Sequence, residues 1–232
     1  MGDDADLVEV VCGSSGVLPS MRGDAVLIDH TTTSVRIVDV LERASAERGV
    51  QFLDAPVSGG EAGAIKGELS IMVGGSKAAF DQSLSVLTSY GTRVVHMGLS
   101  GTGQRTKMAN QICIAGVIQA LAEAVAFAEN AQLDMAKVLR VIAGGAGQSW
   151  QLDNRGASMH ERRFDFGFSV DLMRKDLELC RDEASRNGSH LPVTSVIDEF
   201  YAELQHQGAG HLDTSSLVKL LAGNSRSSLR GN

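Results

Sequence analysis

The cysteines of this 232-residue chain, Cys12, Cys113 and Cys180, are few, scattered and odd in number. That excludes a disulfide framework and suits thiols kept reduced. They lack metal-site spacing and the six histidines form no His-x-x-x-His pair, so no metal is expected. Charge of one sign is nowhere concentrated: 21 basic and 28 acidic side chains leave a net charge of -7 with no basic arm, and nucleic acid is not an expected partner. A window of about 18 uncharged apolar residues is also missing, because Glu123 interrupts the best candidate. The acidic N-terminus does not read as a signal sequence. These absences lead to the expectation of a cytoplasmic protein with no membrane partner. The sequence also has no G-x-G-x-x-G, no P-loop and no nucleophile elbow.

What is present has the proportions of a soluble globular chain, 43% hydrophobic and 21% charged, and is long enough for two domains. Residues 3–11 read as a short helix, followed by a glycine-punctuated loop. Apolar runs at 25–29, 50–57, 69–73 and 92–97 read as strands, separated by amphipathic helices at 35–48 and 76–90. Strands alternating with helices predict an α/β layer with a largely parallel sheet. From Gln104 the alternation stops. Helices are expected over 104–130, 134–143, 168–186 and 192–207, with a last one starting near Asp213. The division expected is an α/β domain over 1–100, an all-helical domain over 101–224 and a polar, disordered tail over 225–232, with the joint itself a favoured place for a small-molecule site.

At that joint a glycine-rich turn, Gly98 to Gly103, runs into the apolar segment Ile112 to Ala128. Lys107, Asn110 and Gln111 share one face of the resulting helix by their spacing. An ammonium near a helix start faces the positive end of the dipole and is dehydrated by packing, and both effects favour its neutral form. Lys107 is therefore either a proton-transfer group or a side chain that snorkels to solvent. Asp54-Ala55-Pro56-Val57-Ser58-Gly59-Gly60 ends a strand, where open α/β sheets bind ligands. Its glycines can aim N–H groups at a carboxylate, or simply form a tight turn. Thr31 to Ser34 read as ribose or amide donors or as helix caps. Asp171, Arg174, Lys175 and Asp176 read as a solvated charged face, with Asp171 and Lys175 spaced as an ion pair. Trp150 reads as a core residue or a substrate wall.

The Asp54 to Gly60 segment, the Gly101-x-Gly103-x3-Lys107-x2-Asn110 stretch and Phe168-x6-Lys175-Asp176-Leu177, in this order, resemble the β-hydroxyacid dehydrogenase family. The family includes 3-hydroxyisobutyrate dehydrogenase and tartronate semialdehyde reductase. The resemblance implies an NAD- or NADP-dependent oxidoreductase that interconverts a small β-hydroxyacid and its semialdehyde, and that forms a homo-oligomer through its helical domain. It implies Lys107 as the general acid/base, Asn110 as a substrate-placing group, and Ser58, Gly59 and Gly60 as the substrate-carboxylate loop. It also implies Thr32 and Lys175 as groups that approach the dinucleotide. Family members open with the glycine fingerprint and a first βαβ unit, so the resemblance implies an N-terminally truncated member: a partial Rossmann-type, NAD(P)-binding parallel sheet over 1–100 that lacks its first βαβ unit and has an unpaired edge, followed by the all-helical domain. Two alternatives stand beside this reading. One is an inactive helical dimerisation module; the other is a relative of 6-phosphogluconate dehydrogenase, whose motif has a His-Asn pair where Asn110-Gln111 stands here.

Overall fold

The computed structural model describes residues 4–221. Expectations for residue 3 and for the tail over 225–232 lie outside the described residues. The chain divides into two compact units that do not follow chain order. Residues 1–111 join 175–190 in one, and residues 112–174 join 191–232 in the other.

The first unit opens with α1 (Asp4–Cys12) and a 3-10 turn, then β1 (Val26–Asp29), α2 (Val35–Ala46), β2 (Gln51–Asp54), β3 (Val57–Ser58) and α3 (Gly60–Lys66). It continues through β4 (Leu69–Gly75), α4 (Lys77–Leu87) and β5 (Gly91–Gly98). The expected α/β layer is present, and its sheet is mixed. β1 lies parallel to β2 and β4 parallel to β5, each pair joined through a helix, whereas β2 and β3 both run antiparallel to β4. The antiparallel ladder keeps one register across the Ala55-Pro56 break. Leu53 faces Gly75, Asp54 faces Gly74, the Met72 N–H donates to Pro56 O at 3.0 Å, and Val57 faces Ile71. Residues 59–68 are too few for a parallel crossover, so the chain turns back on itself. On its other side β1 has no strand partner among the described residues.

Side chains alternate across this sheet and fill both faces. Leu53, Ile71 and Val73 pack with Ala79, Phe80 and Leu87 of α4, while Phe52 and Val50 pack with Leu7, Val11, Val38 and Leu41 of α1 and α2. Ser34 caps α2 by accepting the Ile37 N–H, and Ser76 caps α4 by accepting the Ala79 N–H.

The second unit is helical. It holds most of α5 (Thr102–Asn130), then α6 (Met135–Ala143), α7 (Trp150–His160), the start of α8 (Val170–Asn187), α9 (Pro192–His206) and a 3-10 helix over Thr214–Leu221. Two of the helices, α3 and α7, have no counterpart in the sequence expectation. By length and composition alone α5 is long and apolar enough to span a membrane, with a mean hydropathy of 1.7 over its most apolar stretch, half of which is buried inside the structure as in a core helix. Trp150 is 51% exposed and so is no core residue; Arg155 lies 5.3 Å over its ring. Arg155 also pairs at 3.0 Å with Asp213, a fully buried carboxylate that accepts from Phe168 N and from the backbone and hydroxyl of Ser215.

Candidate active site

The first turn of α5 is held by a residue far from it in sequence. Asp54, at the end of β2 and fully buried, accepts the Gly101 N–H at 2.8 Å and the Gln104 N–H at 2.9 Å. These are donors that a helix start leaves without partners, and a carboxylate also complements the dipole there. The approach demands glycine. A Cβ at Gly103 would stand 2.4 Å from both Asp54 O and Met72 O, and one at Gly74 would stand 2.3 Å from the Asp54 carboxylate. Burial pushes the Asp54 carboxyl up to about 6, against the two N–H donors that pull it down.

One turn along, Lys107 is only 8% exposed and donates from Nζ to the Val57 carbonyl at 2.9 Å. It does not snorkel. Desolvation lowers its pKa, Lys175 adds to that effect, and Asp176 opposes it. The lysine is thus set against β3, whose Ser58 is followed by Gly59 at φ 131° and Gly60 at φ 60°. Both glycines occupy backbone conformations that side chains avoid. A Cβ at Gly60 would meet nothing within 4 Å, so that turn borders open space.

A second chain of contacts starts from Asn110, which donates to Gln111 Oε1 at 2.8 Å. Gln111 Nε2 donates to Asp176 Oδ2, also at 2.8 Å. Lys175 Nζ lies 3.1 Å from Asp176 Oδ1, an ion-pair contact outside hydrogen-bond geometry, and donates to the Thr32 carbonyl at 2.6 Å. The expected Asp171–Lys175 pair does not form; Asp171 accepts from Gln205 instead. Nor is Asp176 part of a solvated face, being 2% exposed. The Thr31 to Thr33 segment is fixed from above by Gln104, whose Nε2 donates to Thr31 O and whose Oε1 accepts the Thr33 N–H.

Every residue expected at the site, Thr32, Ser58, Gly59, Gly60, Lys107, Asn110 and Lys175, falls within the first compact unit. Contacts join Lys107 to the Ser58 strand, and join Asn110, Lys175 and Thr32 to one another through Gln111 and Asp176. The cap that Asp54 supplies and the bridge that Gln104 makes were not legible in the sequence. Their partners lie tens of residues away and leave no local pattern.

Residues 101–221 match the family profile described as the NAD-binding region of NADP-dependent 3-hydroxyisobutyrate dehydrogenase. Residues 1–98 match that of the NAD binding domain of 6-phosphogluconate dehydrogenase. The chain belongs to the β-hydroxyacid dehydrogenase family. An uncharacterised oxidoreductase of Shewanella frigidimarina is 48% identical over 95% of this chain and 76% of its own length. The 2-hydroxy-3-oxopropionate reductase of Escherichia coli is 36% identical over 94% of this chain and 75% of its own. Among solved structures, a 3-hydroxyisobutyrate dehydrogenase of Salmonella typhimurium superposes with a TM-score of 0.85 at 31% identity, covering 95% of this chain and 77% of that one. By family this β-hydroxyacid dehydrogenase is an oxidoreductase that uses NAD or NADP.

The residues present fit one end of such a dinucleotide. The Lys175 ammonium is already pinned on the loop that follows β1, at the strand end where α/β sheets bind nucleotides. The Thr33 hydroxyl beside it is buried without a hydrogen-bond partner.

Proposed function

We propose that this chain interconverts a small β-hydroxyacid and its semialdehyde, with Lys107 as general acid in reduction and general base in oxidation. The observation that carries the reading is the buried Lys107 ammonium, anchored on Val57 O next to the Ser58-Gly59-Gly60 turn. A lysine whose pKa is lowered by desolvation gives up its proton more readily than a solvated one, which suits proton transfer. Bound NAD(P) supplies or accepts the hydride at the carbonyl carbon. In reduction a proton on Lys107 Nζ passes to the carbonyl oxygen; in oxidation Nζ takes it back from the hydroxyl.

The other roles follow from charge and reach. The N–H groups of the Ser58-Gly59-Gly60 turn and the Ser58 hydroxyl receive the substrate carboxylate. Asn110, half-buried one turn after Lys107, places the substrate. Thr32 and Lys175 face the dinucleotide. Lys107 and Lys175 against Asp176 leave one net positive charge, which favours an anionic substrate over a neutral one. Large apolar side chains of the helical unit, Phe127 at 72% and Val141 at 73% exposure, support assembly into a homo-oligomer through that unit. We place the protein in the cytoplasm.

The test is reduction of a panel of small semialdehydes, followed by the loss of nicotinamide absorbance with each cofactor, beside a fluorescence titration of NAD(P)H binding. Lys107→Ala should lower kcat by roughly 100- to 10,000-fold while leaving the circular dichroism spectrum unchanged. Retention of wild-type kcat in that variant would overturn the assignment.

A further inference from the structure

Lys107 poses an electrostatic problem that its own hydrogen bond does not solve. The ammonium is buried, and the acceptor it meets, Val57 O, is neutral. An ammonium held away from water without a counter-charge gives up its proton. The charged and titratable groups that act most on it, Asp176, Lys175 and Cys180, come from α8. The element packed on its other side, β3, offers the Val57 carbonyl. The Cys180 thiol is pushed up to about 12 by burial and by Asp176, so it is neutral wherever the enzyme works. Lys107 and Gln111 lie four residues apart on one face of α5, and Gln111 Nε2 donates to the Asp176 carboxylate at 2.8 Å, so the anion on the Lys107 face of this helix is Asp176.

Asp176 is not free to turn. Gln111 Nε2 donates to its Oδ2, and the Lys175 ammonium stands against its Oδ1. Gln111 is itself fixed, because its Oε1 is occupied by the Asn110 amide. This position requires a neutral amide of glutamine length. A carboxylate there would oppose Asp176, and an aliphatic side chain would leave a buried carboxylate oxygen without its donor.

We propose that Asp176, anchored by Gln111, is a positioning residue for this reaction, acting as the counter-charge of Lys107 and the tether of Lys175. The proposal rests on the functional reading only for what Lys107 does to substrate. The charge relation itself belongs to the fold and is measurable without turnover.

The experiment is a pH titration of the Lys107 ammonium in the full chain by 15N NMR of labelled lysine side chains, the signal assigned through Lys107→Arg. Removing the opposite charge in Asp176→Asn should lower the Lys107 midpoint by about 1 to 3 pH units. Because reduction needs the ammonium form, the high-pH limb of kcat should move down by the same amount. Asp176→Glu keeps the charge and should recover most of the midpoint. Gln111→Leu should shift it in the same direction by roughly half a unit to one unit, since the carboxylate stays but is no longer held. A midpoint within about 0.3 unit of wild type in folded Asp176→Asn would overturn the proposal. Should that variant not fold, Gln111→Leu decides by the same measurement, and an unmoved midpoint there is equally fatal. Wild-type activity in Lys107→Ala would defeat the functional reading alone, because the NMR midpoint would still report whether Asp176 is the counter-charge.

Discussion

Asp54→Ala removes the group that holds the start of α5. In the variant the Gly101 and Gln104 N–H groups remain buried and lose their acceptor. A buried donor left unsatisfied costs about 1–3 kcal/mol, so the pair costs roughly 2–6 kcal/mol, with the lower part of that range applying if a water enters the space left by the carboxylate. A value of about 3 kcal/mol, in the lower half of that range, corresponds to roughly a hundredfold loss of hydrogen-exchange protection. Amide exchange read at Gly101 and Gln104 separates this local effect from unfolding elsewhere. Protection within about threefold of wild type at both amides would refute the cap. The titration of Asp54 supplies a second, signed consequence. Its folded-state value of about 6 lies above the ordinary carboxylate value. The folded protein then binds the proton more tightly than the unfolded chain, so this group's contribution is most favourable below about pH 4 and is lost as pH rises through 6. The loss across that window is about 3 kcal/mol. Asp54→Asn has no such titration, so wild-type and Asp54→Asn stabilities measured by urea unfolding should change relative to one another between pH 4 and 6. Parallel curves would show that the carboxylate titrates normally.

Gly103→Ala would set a methyl group 2.4 Å from two sheet carbonyls that cannot move aside, Asp54 O and Met72 O. A loss of about 3 kcal/mol or more is expected on thermal unfolding, and an unchanged Tm would mean that α5 does not approach the sheet this closely. In the helical unit, Arg155→Ala leaves the fully buried Asp213 without its cation, which should cost about 3–5 kcal/mol. Thermal unfolding followed by circular dichroism checks this, and a loss under about 1 kcal/mol would show that the Ser215 and Phe168 donors suffice alone.

Elements that a segment specifies by itself were legible. Ser34, Ser76 and Asp134 precede helices that each of them caps, and the apolar runs at 26–29, 51–54, 69–75 and 91–98 are strands. The two unexpected helices have weak local signatures. α3 contains Gly60 and Gly63 in seven residues, and α7 buries only Leu152, Gly156, Ser158 and Met159, too polar a stripe to stand out. In the second case the Ser149 hydroxyl accepting the Leu152 N–H was a signal that could have been used.

The same division runs through the site. Lys107 could be singled out because a glycine turn before an apolar run already implies a dehydrated helix start. Its environment could not, because each group that shapes it arrives from a distant segment: Asp54 from β2, Gln104 reaching to the loop after β1, Asp176 from α8. Read locally, Asp176 sits between Lys175 and two leucine turns of a polar helix, where a carboxylate is ordinarily solvated. Its burial comes from α8 meeting the first turns of α5, where Gln111 donates to Asp176 and the Cys180 thiol to Met108 O, while Gly74 and Gly103 let the start of α5 approach β2. The glycines and the buried carboxylates are therefore one device. The glycines bring α5 close enough for Asp54 to cap it, and a capped α5 holds Gln111 where it can anchor Asp176. The lysine that local pattern reveals is set electrically by residues that only the fold brings together.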